Sequence, residues 1–180
     1  AVAAPSRRFT FVVAADAHMG GDAPQWGPDD LATALAQALA LPAPARFFTI
    51  VGDITQANQP GDFDAARRGL AGIDVPWVPV PGNHDWYDGG IAYRAVWGPD
   101  SYSFTTGGVH VVVWNSLLEA PDAARFFRQD LAGLDPSTTV IALGHIPPRD
   151  DIAAAMREAG VDYLFSGHWH ADRVVDHGGM

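Results

Sequence analysis

Apolar and polar positions alternate along the first half of the chain with the periods of strands and helices. Three continuous apolar runs favour buried strands. They cover residues 8–15, 45–53 and 75–82. The prolines in the third run favour a sheet edge or a strand end, since proline donates no ladder hydrogen bond. Leu31, Leu35 and Leu39 recur every four residues and predict an amphipathic helix over residues 28–41, and a second helix is predicted over residues 62–72.

The second half continues the alternation after one interruption. Two strand-like runs about a Thr-Gly-Gly turn favour a β-hairpin over residues 102–116. Two helices then alternate with two strands. We predict helices over 120–134 and 150–160, and strands over 138–145 and 161–168. This order predicts an α/β fold with mixed sheets, and the absence of a linker predicts a single domain, residues 1–180.

Composition excludes several classes of protein. A chain of 180 residues with 48% hydrophobic residues has the content of a globular domain. No apolar run reaches the roughly 18 residues of a membrane span. A net charge of -10 disfavours nonspecific binding to nucleic acid or to an anionic membrane. The chain has no Cys and no Lys, which excludes thiolate nucleophiles, thiolate zinc sites and Schiff-base chemistry.

Polar side chains of metal-ligand type follow five of the predicted strands, and five of the seven histidines are among them. They are Asp16, His18, Asp53, Asn83, His84, Asp85, His145, His168 and His170. Ligands in α/β sheets bind outside the carboxyl ends of the strands. Taken singly, the acidic and amide residues would be turn residues or helix caps, and a lone histidine would be structural, as we expect for His110 and His177. Together they predict one site.

Imidazole, carboxylate and amide groups without sulfur suit divalent ions such as Mn, Fe or Zn. The set is large enough for two ions if one carboxylate bridges them. Two ions about 3.5–4 Å apart clamp an in-line displacement at phosphorus. The ligand types therefore predict phosphoester chemistry.

Five short motifs resemble, in order, those of the calcineurin-like metallophosphoesterases. They read DAH (16–18), GD (52–53), GNHD (82–85), GH (144–145) and GHWH (167–170). The hairpin and the sequence GHIPP (144–148) are also similar to the cyclic-nucleotide-phosphodiesterase and purple-acid-phosphatase-like branch. Thr55 stands where the purple acid phosphatases have their iron-binding tyrosine, so we expect no iron–tyrosinate colour.

The resemblance implies a two-sheet mixed β-sandwich flanked by helices, with a centre of two divalent ions. Asp16, His18 and His170 would hold the first ion. Asn83, His145 and His168 would hold the second, and Asp53 would bridge. His84 and Asp85 would be catalytic: His84 protonates the leaving oxygen, while Asp85 holds the turn or orients a ligand.

The function implied is hydrolysis of a small phosphoester by a hydroxide that bridges two ions, with a preference for phosphodiesters. A phosphomonoesterase and a non-catalytic metal-binding module are the alternatives. Trp86, Tyr87 and Trp169 would stack on a nucleotide-like group or pack against the sheet. Arg149 would clamp a phosphate or remain a solvated loop residue. A metallo-β-lactamase-type enzyme is disfavoured, because the chain lacks an early H-x-H-x-D-H block.

Two further expectations concern the ends of the sequence. The start AVAAPS is typical of a chain after signal-peptide cleavage, although a trimmed sequence would look the same. We therefore predict export to the periplasm or outside the cell, with the cytoplasm as the alternative. Family domains usually continue with strands after the last motif, whereas ten residues follow His170 here. We expect either a fragment that lacks terminal strands or a short member.

Overall fold

The computed structural model describes residues 10–21, 26–40, 42–178 and 180, and strands and helices alternate through them. The strands are β1 Val12–Ala14, β2 Phe48–Val51, β3 Trp77–Val80, β4 Tyr102–Thr106, β5 Val109–Val113, β6 Thr139–Leu143 and β7 Tyr163–Phe165. The helices are α1 Pro28–Leu39, α2 Pro60–Leu70, α3 Ile91–Trp97, α4 Ala120–Asp130 and α5 Asp150–Ala159. None of these helices has the length and hydropathy needed to cross a bilayer.

The strands form two sheets. The first has three parallel strands in the order β1-β2-β3. The second has the order β4-β5-β6-β7, in which the β4–β5 hairpin is antiparallel and the other pairs are parallel. The predicted hairpin is confirmed, and Gly107 and Gly108 form its turn with φ of 60° and 86°. β3 is an edge strand, as its prolines predicted.

Alternation along each strand divides its side chains between two apolar layers. In β2, Phe48 and Ile50 pack against α1 and α2, while Val51 faces the second sheet. In β5, Val112 packs against α4 and α5, while Val113 faces the first sheet. The result is helices, sheet, sheet and helices in four layers. The predicted two-sheet α/β sandwich flanked by helices is confirmed.

One expectation about a single element was wrong, and one helix was not predicted. The first strand was predicted as buried, but Val13 is 36% exposed because β1 is the outer strand of its sheet. Residues 8 and 9 of that prediction lie outside the described residues. Helix α3 was not predicted. A local signal existed, since the Asp88 carboxylate accepts hydrogen bonds from the Gly90, Ile91 and Ala92 N–H groups at the start of α3.

Candidate metal centre

The loops that follow β1 and β2 remain paired beyond the ends of the strands. The Asp16 N–H donates to the Gly52 carbonyl at 3.1 Å, and the His18 N–H donates to the Asp53 carbonyl at 2.8 Å. The Met19 N–H continues the ladder. These bonds fix the backbone of three of the predicted ligands at one edge of the sheet.

Asp53 lies between two groups of predicted ligands. Its Oδ1 accepts a hydrogen bond from the His84 N–H at 2.9 Å. Its Oδ2 lies 3.1 Å from His145 Nε2 and 3.7 Å from His18 Nε2. One carboxylate oxygen is therefore held by the backbone, and the other faces both groups. This is the geometry that a bridging ligand requires.

Each group has the composition of a metal site. In the first, His170 Nε2 lies 3.3 Å from Asp16 Oδ1 and 3.4 Å from His18 Nε2. The second contains Asp53, His145 and His168, and the rings of its two histidines have centroids 5.1 Å apart. In both groups one ligand atom from every residue lies within 4.8 Å of the others. The fold thus brings together six of the predicted ligands from four loops.

Buried polar atoms without hydrogen-bond partners indicate whether these residues could hold divalent ions. His145 Nδ1 lies 2.9 Å from the Val51 carbonyl, which only accepts, so Nδ1 carries the hydrogen and the Nε2 lone pair faces Asp53. Nε2 is buried without an aligned hydrogen-bond partner, as are Asn83 Oδ1 and His18 Nδ1. Buried polar atoms without partners are rare and costly. A cation between His145 Nε2 and Asp53 would satisfy two electron-rich atoms at once.

The charges at this edge of the sheet displace several pKa values. Burial lowers the pKa of His18. The nearby His84 and His170 lower it further, and the carboxylates of Asp53 and Asp16 raise it by less than the total lowering. Burial acts to lower the pKa of His145 as well, but the neighbouring Asp53 carboxylate leaves it raised. Burial acts to raise the pKa of Asp53, but His145 and the His84 N–H leave it lowered. Asp53 is therefore an anion available to a cation.

The backbone of the predicted ligands adopts an unusual conformation. Six described residues other than glycine have a positive φ, and five of these are predicted ligands. They are Asp16 (55°), His18 (44°), Asp53 (48°), Asn58 (57°), His168 (70°) and His170 (48°). A side chain in this region costs about 1–3 kcal/mol, and such residues cluster at functional sites. The fold therefore stores strain at this centre to aim these side chains.

Motif glycines allow the loops to approach each other. A Cβ on Gly82 would overlap the backbone nitrogen and the carboxylate of Asp53. A Cβ on Gly167 would lie 2.5 Å from Asp16 Oδ2. These two glycines thus make room for ligands that belong to other motifs.

His84 is held against the centre through one ring nitrogen. Its Nδ1 lies 2.6 Å from the Gln56 carbonyl and 3.0 Å from the Tyr87 hydroxyl. Since the carbonyl only accepts, Nδ1 carries a hydrogen, and Nε2 is the atom left to exchange a proton. The His84 ring stands edge-on to that of His18, with centroids 4.7 Å apart. No sequence pattern indicated Gln56, because its contribution is a backbone atom.

Asp85 has the surroundings of a positioning residue. It is fully buried, and its two oxygens accept hydrogen bonds from the N–H groups of Ile54, Thr55 and Gly82 and from the Thr55 hydroxyl. Burial raises the pKa of Asp85 to about 6, against the lowering effect of these donors. Its contacts tie the loop after β2 to the loop after β3. A direct catalytic role of Asp85 stays a prediction.

The predicted substrate residues have different surroundings. Trp86 packs against Tyr93 and lies under the Arg94 guanidinium at 4.6 Å, which favours the packing alternative. Trp169 is half exposed, with Arg173 5.4 Å from its ring. Arg149 is exposed and its NH2 lies 3.2 Å from Asp151. Tyr87 is exposed, and its side-chain hydroxyl lies 3.0 Å from Nδ1 of His84.

Known proteins share this arrangement of motifs. The family model described as calcineurin-like phosphoesterase matches residues 9–172. The chain is 27% identical to "Serine/threonine-protein phosphatase CPPED1" of Danio rerio, over 96% of this chain and 73% of that protein. It is 28% and 29% identical to the proteins of the same name from Mus musculus and Bos taurus, over 84% and 86% of this chain.

The chain spans 62% and 63% of the length of those two mammalian proteins. The alignment with the Danio rerio protein has 226 positions against the 180 residues of this chain, so that relative carries insertions. The family match itself covers nearly the whole chain and includes all five motifs. The chain therefore belongs to the calcineurin-like phosphoesterases, a family of metal-dependent phosphoric ester hydrolases.

Proposed function

We propose that this chain hydrolyses phosphate esters with two divalent cations held around Asp53. The observation that carries the proposal is the position of Asp53 between the two groups of ligands, with Oδ2 3.1 Å from His145 Nε2 and 3.7 Å from His18 Nε2. His145 Nε2 and Asn83 Oδ1 are buried without a hydrogen-bond partner, which costs free energy unless a ligand satisfies them. Asp16, His18 and His170 would hold one ion, and Asn83, His145 and His168 the other, with Asp53 shared.

When bound, the ions supply Lewis acidity, which lowers the pKa of water and offsets negative charge on phosphoryl oxygens. The protein holds the ligands rigidly. The Val51 carbonyl fixes the tautomer of His145. The backbone hydrogen bonds between the loops after β1 and β2 fix the positions of Asp16 and Asp53. Such preorganisation spares the site a rearrangement during the reaction.

His84 is the proposed general acid. The Gln56 carbonyl accepts the Nδ1 hydrogen, which leaves Nε2 to deliver a proton to the leaving oxygen. Tyr87 would limit rotation of the ring through its hydroxyl, 3.0 Å from the same nitrogen. Asp85 would act by holding the loops that carry Asp53 and Asn83, without touching substrate.

The class of ester is the finer part of the proposal. The hairpin and GHIPP sequences support a phosphodiester, which carries one negative charge, and a chain without Lys has few cations to offset a second charge. The half-exposed ring of Trp169 supports a nucleotide-like leaving group. The relatives are named serine/threonine-protein phosphatases, which favours a phosphomonoester as the second candidate.

A single comparison tests both levels of the proposal. We expect the purified chain, loaded with Mn²⁺, to hydrolyse bis-p-nitrophenyl phosphate with a higher kcat/KM than p-nitrophenyl phosphate. A clear advantage for the monoester would contradict the diester assignment alone. Absence of hydrolysis of either ester, with two ions bound per chain, would contradict the enzymatic proposal and favour the non-catalytic metal-binding module.

A further inference from the structure

A buried carboxylate outside the metal centre, that of Asp62 in the first turn of α2, holds two of the site loops together. Its Oδ1 accepts a hydrogen bond from the Gly21 N–H at 2.9 Å, in the loop after β1. Its Oδ2 accepts from the N–H groups of Ala57 at 2.8 Å and Gln59 at 3.2 Å, in the loop after β2. Only the bond from Gln59 belongs to the cap of the helix. The other two bonds therefore have a different purpose.

One of these bonds reaches the peptide group that holds the proposed general acid. The Ala57 N–H and the Gln56 carbonyl belong to the same peptide bond, and this carbonyl accepts the hydrogen of His84 Nδ1 at 2.6 Å. The peptide bond is trans, so its N–H and C=O groups point in opposite directions. The peptide group therefore lies between the imidazole of His84 and the carboxylate of Asp62.

Hydrogen bonds that follow one another in a chain polarise each other. A carboxylate at the N–H end of a peptide group makes the carbonyl oxygen more negative, so this oxygen binds the Nδ1 hydrogen of His84 more strongly. The Gln56 N–H donates to the Met19 carbonyl at 3.0 Å, which fixes the preceding peptide group as well. The Tyr87 hydroxyl, the other neighbour of Nδ1, belongs to an exposed side chain. The backbone carbonyl is therefore the firmer restraint on the ring, and it leaves Nε2 free to exchange a proton.

We propose that Asp62 is a positioning residue for the general acid and acts on His84 through the Gln56–Ala57 peptide group. The arrangement is a histidine–carboxylate pair with one peptide group between the partners. In the Ser-His-Asp enzymes a carboxylate orients the catalytic histidine by direct contact. This inference rests on the proposed function, since it names the group that orients His84 in the same centre.

The two hydrogen bonds can be measured in the unaltered chain, loaded with Zn²⁺ because Mn²⁺ is paramagnetic. NMR should show a scalar coupling from His84 Nδ1 to the Gln56 carbonyl carbon and another from the Ala57 nitrogen to the Asp62 carboxyl carbon. The Nδ1–H resonance is assigned by its loss in His84→Ala. Absence of either coupling would overturn the inference.

Asp62→Asn interrupts the path, because an amide has one oxygen and cannot accept from both Gly21 and Ala57 as the carboxylate does. We expect the Nδ1–H resonance of His84 to move upfield, while both ions remain bound. We expect kcat to fall about three- to thirtyfold for alkyl esters and less than about twofold for nitrophenyl esters, a part of the 10²–10⁴ that a general acid contributes.

Asp30→Asn is the matched control. Asp30 occupies the same position in the first turn of α1, where its Oδ2 accepts from the Gly27 N–H at 2.8 Å. It caps its helix in the same way, and neither it nor Gly27 bonds to a predicted site residue among the described contacts. The control should change neither the Nδ1–H resonance of His84 nor kcat for either kind of ester.

Equal losses of kcat for the two leaving groups in Asp62→Asn, or an unchanged Nδ1–H resonance, would mean that Asp62 supports only the fold and would overturn the inference. If Asp62→Asn does not fold, the couplings in the unaltered chain decide. If the chain hydrolyses no ester, the proposed function fails, and the couplings and the resonance still decide whether Asp62 orients His84.

Discussion

Two buried histidines lie beside aspartates in this molecule, and their second ring nitrogens distinguish them. His110 Nε2 lies 2.9 Å from Asp130, and its Nδ1 lies 2.9 Å from the Thr105 hydroxyl. His145 is equally close to its aspartate, 3.1 Å from Asp53, but without hydrogen-bond alignment. Both nitrogens of His110 are thus satisfied within the protein. His145 keeps one buried nitrogen, Nε2, without an aligned hydrogen-bond partner.

The comparison teaches that burial and a nearby carboxylate do not identify a metal ligand. Asp130 uses its other oxygen to accept from the Ser103 hydroxyl, so the His110 cluster is complete and ties β4 and β5 to α4. Asp53 instead directs its free oxygen toward two histidines. The incomplete cluster is the one expected to bind ions.

The largest effect is expected for Asp53→Asn, which removes the shared anion from the incomplete cluster. The amide keeps the shape but not the charge, so both ions should be held less tightly. We expect fewer than two ions per chain by elemental analysis. We also expect kcat/KM to fall by more than about 10²-fold, since even the hydrogen-bond partners of ligands typically contribute 10–100-fold. An Asp53→Asn chain that kept two ions and its rate would contradict the conclusion that the cluster at Asp53 binds the ions.

The next largest effect is expected for His84→Ala. This histidine is intermediate between His110, whose two ring nitrogens are both paired, and His145, which is a predicted metal ligand. One nitrogen of His84 is paired with the Gln56 carbonyl and the other is left for catalysis. The variant should keep both ions and lose about 10²–10⁴ in rate, mainly for esters with poor leaving groups. The measurement is kcat for nitrophenyl and alkyl esters at fixed metal. Equal losses for the two leaving groups would argue against the role of general acid.

Tyr87→Phe is the matched control for His84, because it removes only the hydroxyl beside Nδ1. We expect a loss of less than about tenfold in kcat, in line with one neutral hydrogen bond. A loss as large as that of His84→Ala would mean that the tyrosine itself takes part in proton transfer.

A smaller effect, on stability alone, is expected for Asp130→Asn in the complete cluster. The amide cannot accept from both Ser103 and His110 as the carboxylate does. Chemical denaturation should show a loss of about 1–3 kcal/mol, the cost of a disrupted buried hydrogen bond. Metal content and kcat should remain unchanged. A loss of metal would show that the two histidine clusters are not separate, and the comparison would fail.

The smallest effect is expected for Asp88→Ala, which removes the exposed cap of α3. The Ala92 N–H first, and then Asn58 and the Gly90 and Ile91 N–H groups, hold the pKa of Asp88 below its ordinary value. A carboxyl with a lowered folded pKa contributes stability above its unfolded pKa and loses it as the pH falls through the folded pKa. The variant should therefore lower Tm slightly at neutral pH and not below the folded pKa. A pH-independent difference would contradict the capping role.

Much of the fold was predictable because local patterns encode it. The apolar runs indicated each strand, and the four-residue spacing of Leu31 and Leu35 indicated α1. The prolines before the GNHD motif correctly indicated an edge strand. The exposure of Val13 was not predictable, because strand order depends on pairing with β2, which is far along the chain. Helix α3 is short, and its capping residue follows a stretch already interpreted as a motif.

The sequence by itself determined which residue types gather at the strand ends, and the five motifs indicated the family. Only the tertiary structure decided that Asp53 faces both groups and that Asp85 is enclosed by backbone donors. Only it revealed the positive φ of five of the predicted ligands. The physical reason is distance along the chain. The His168 N–H donates to Asp16 across 152 positions, and a contact of that kind exists only once both sheets have formed.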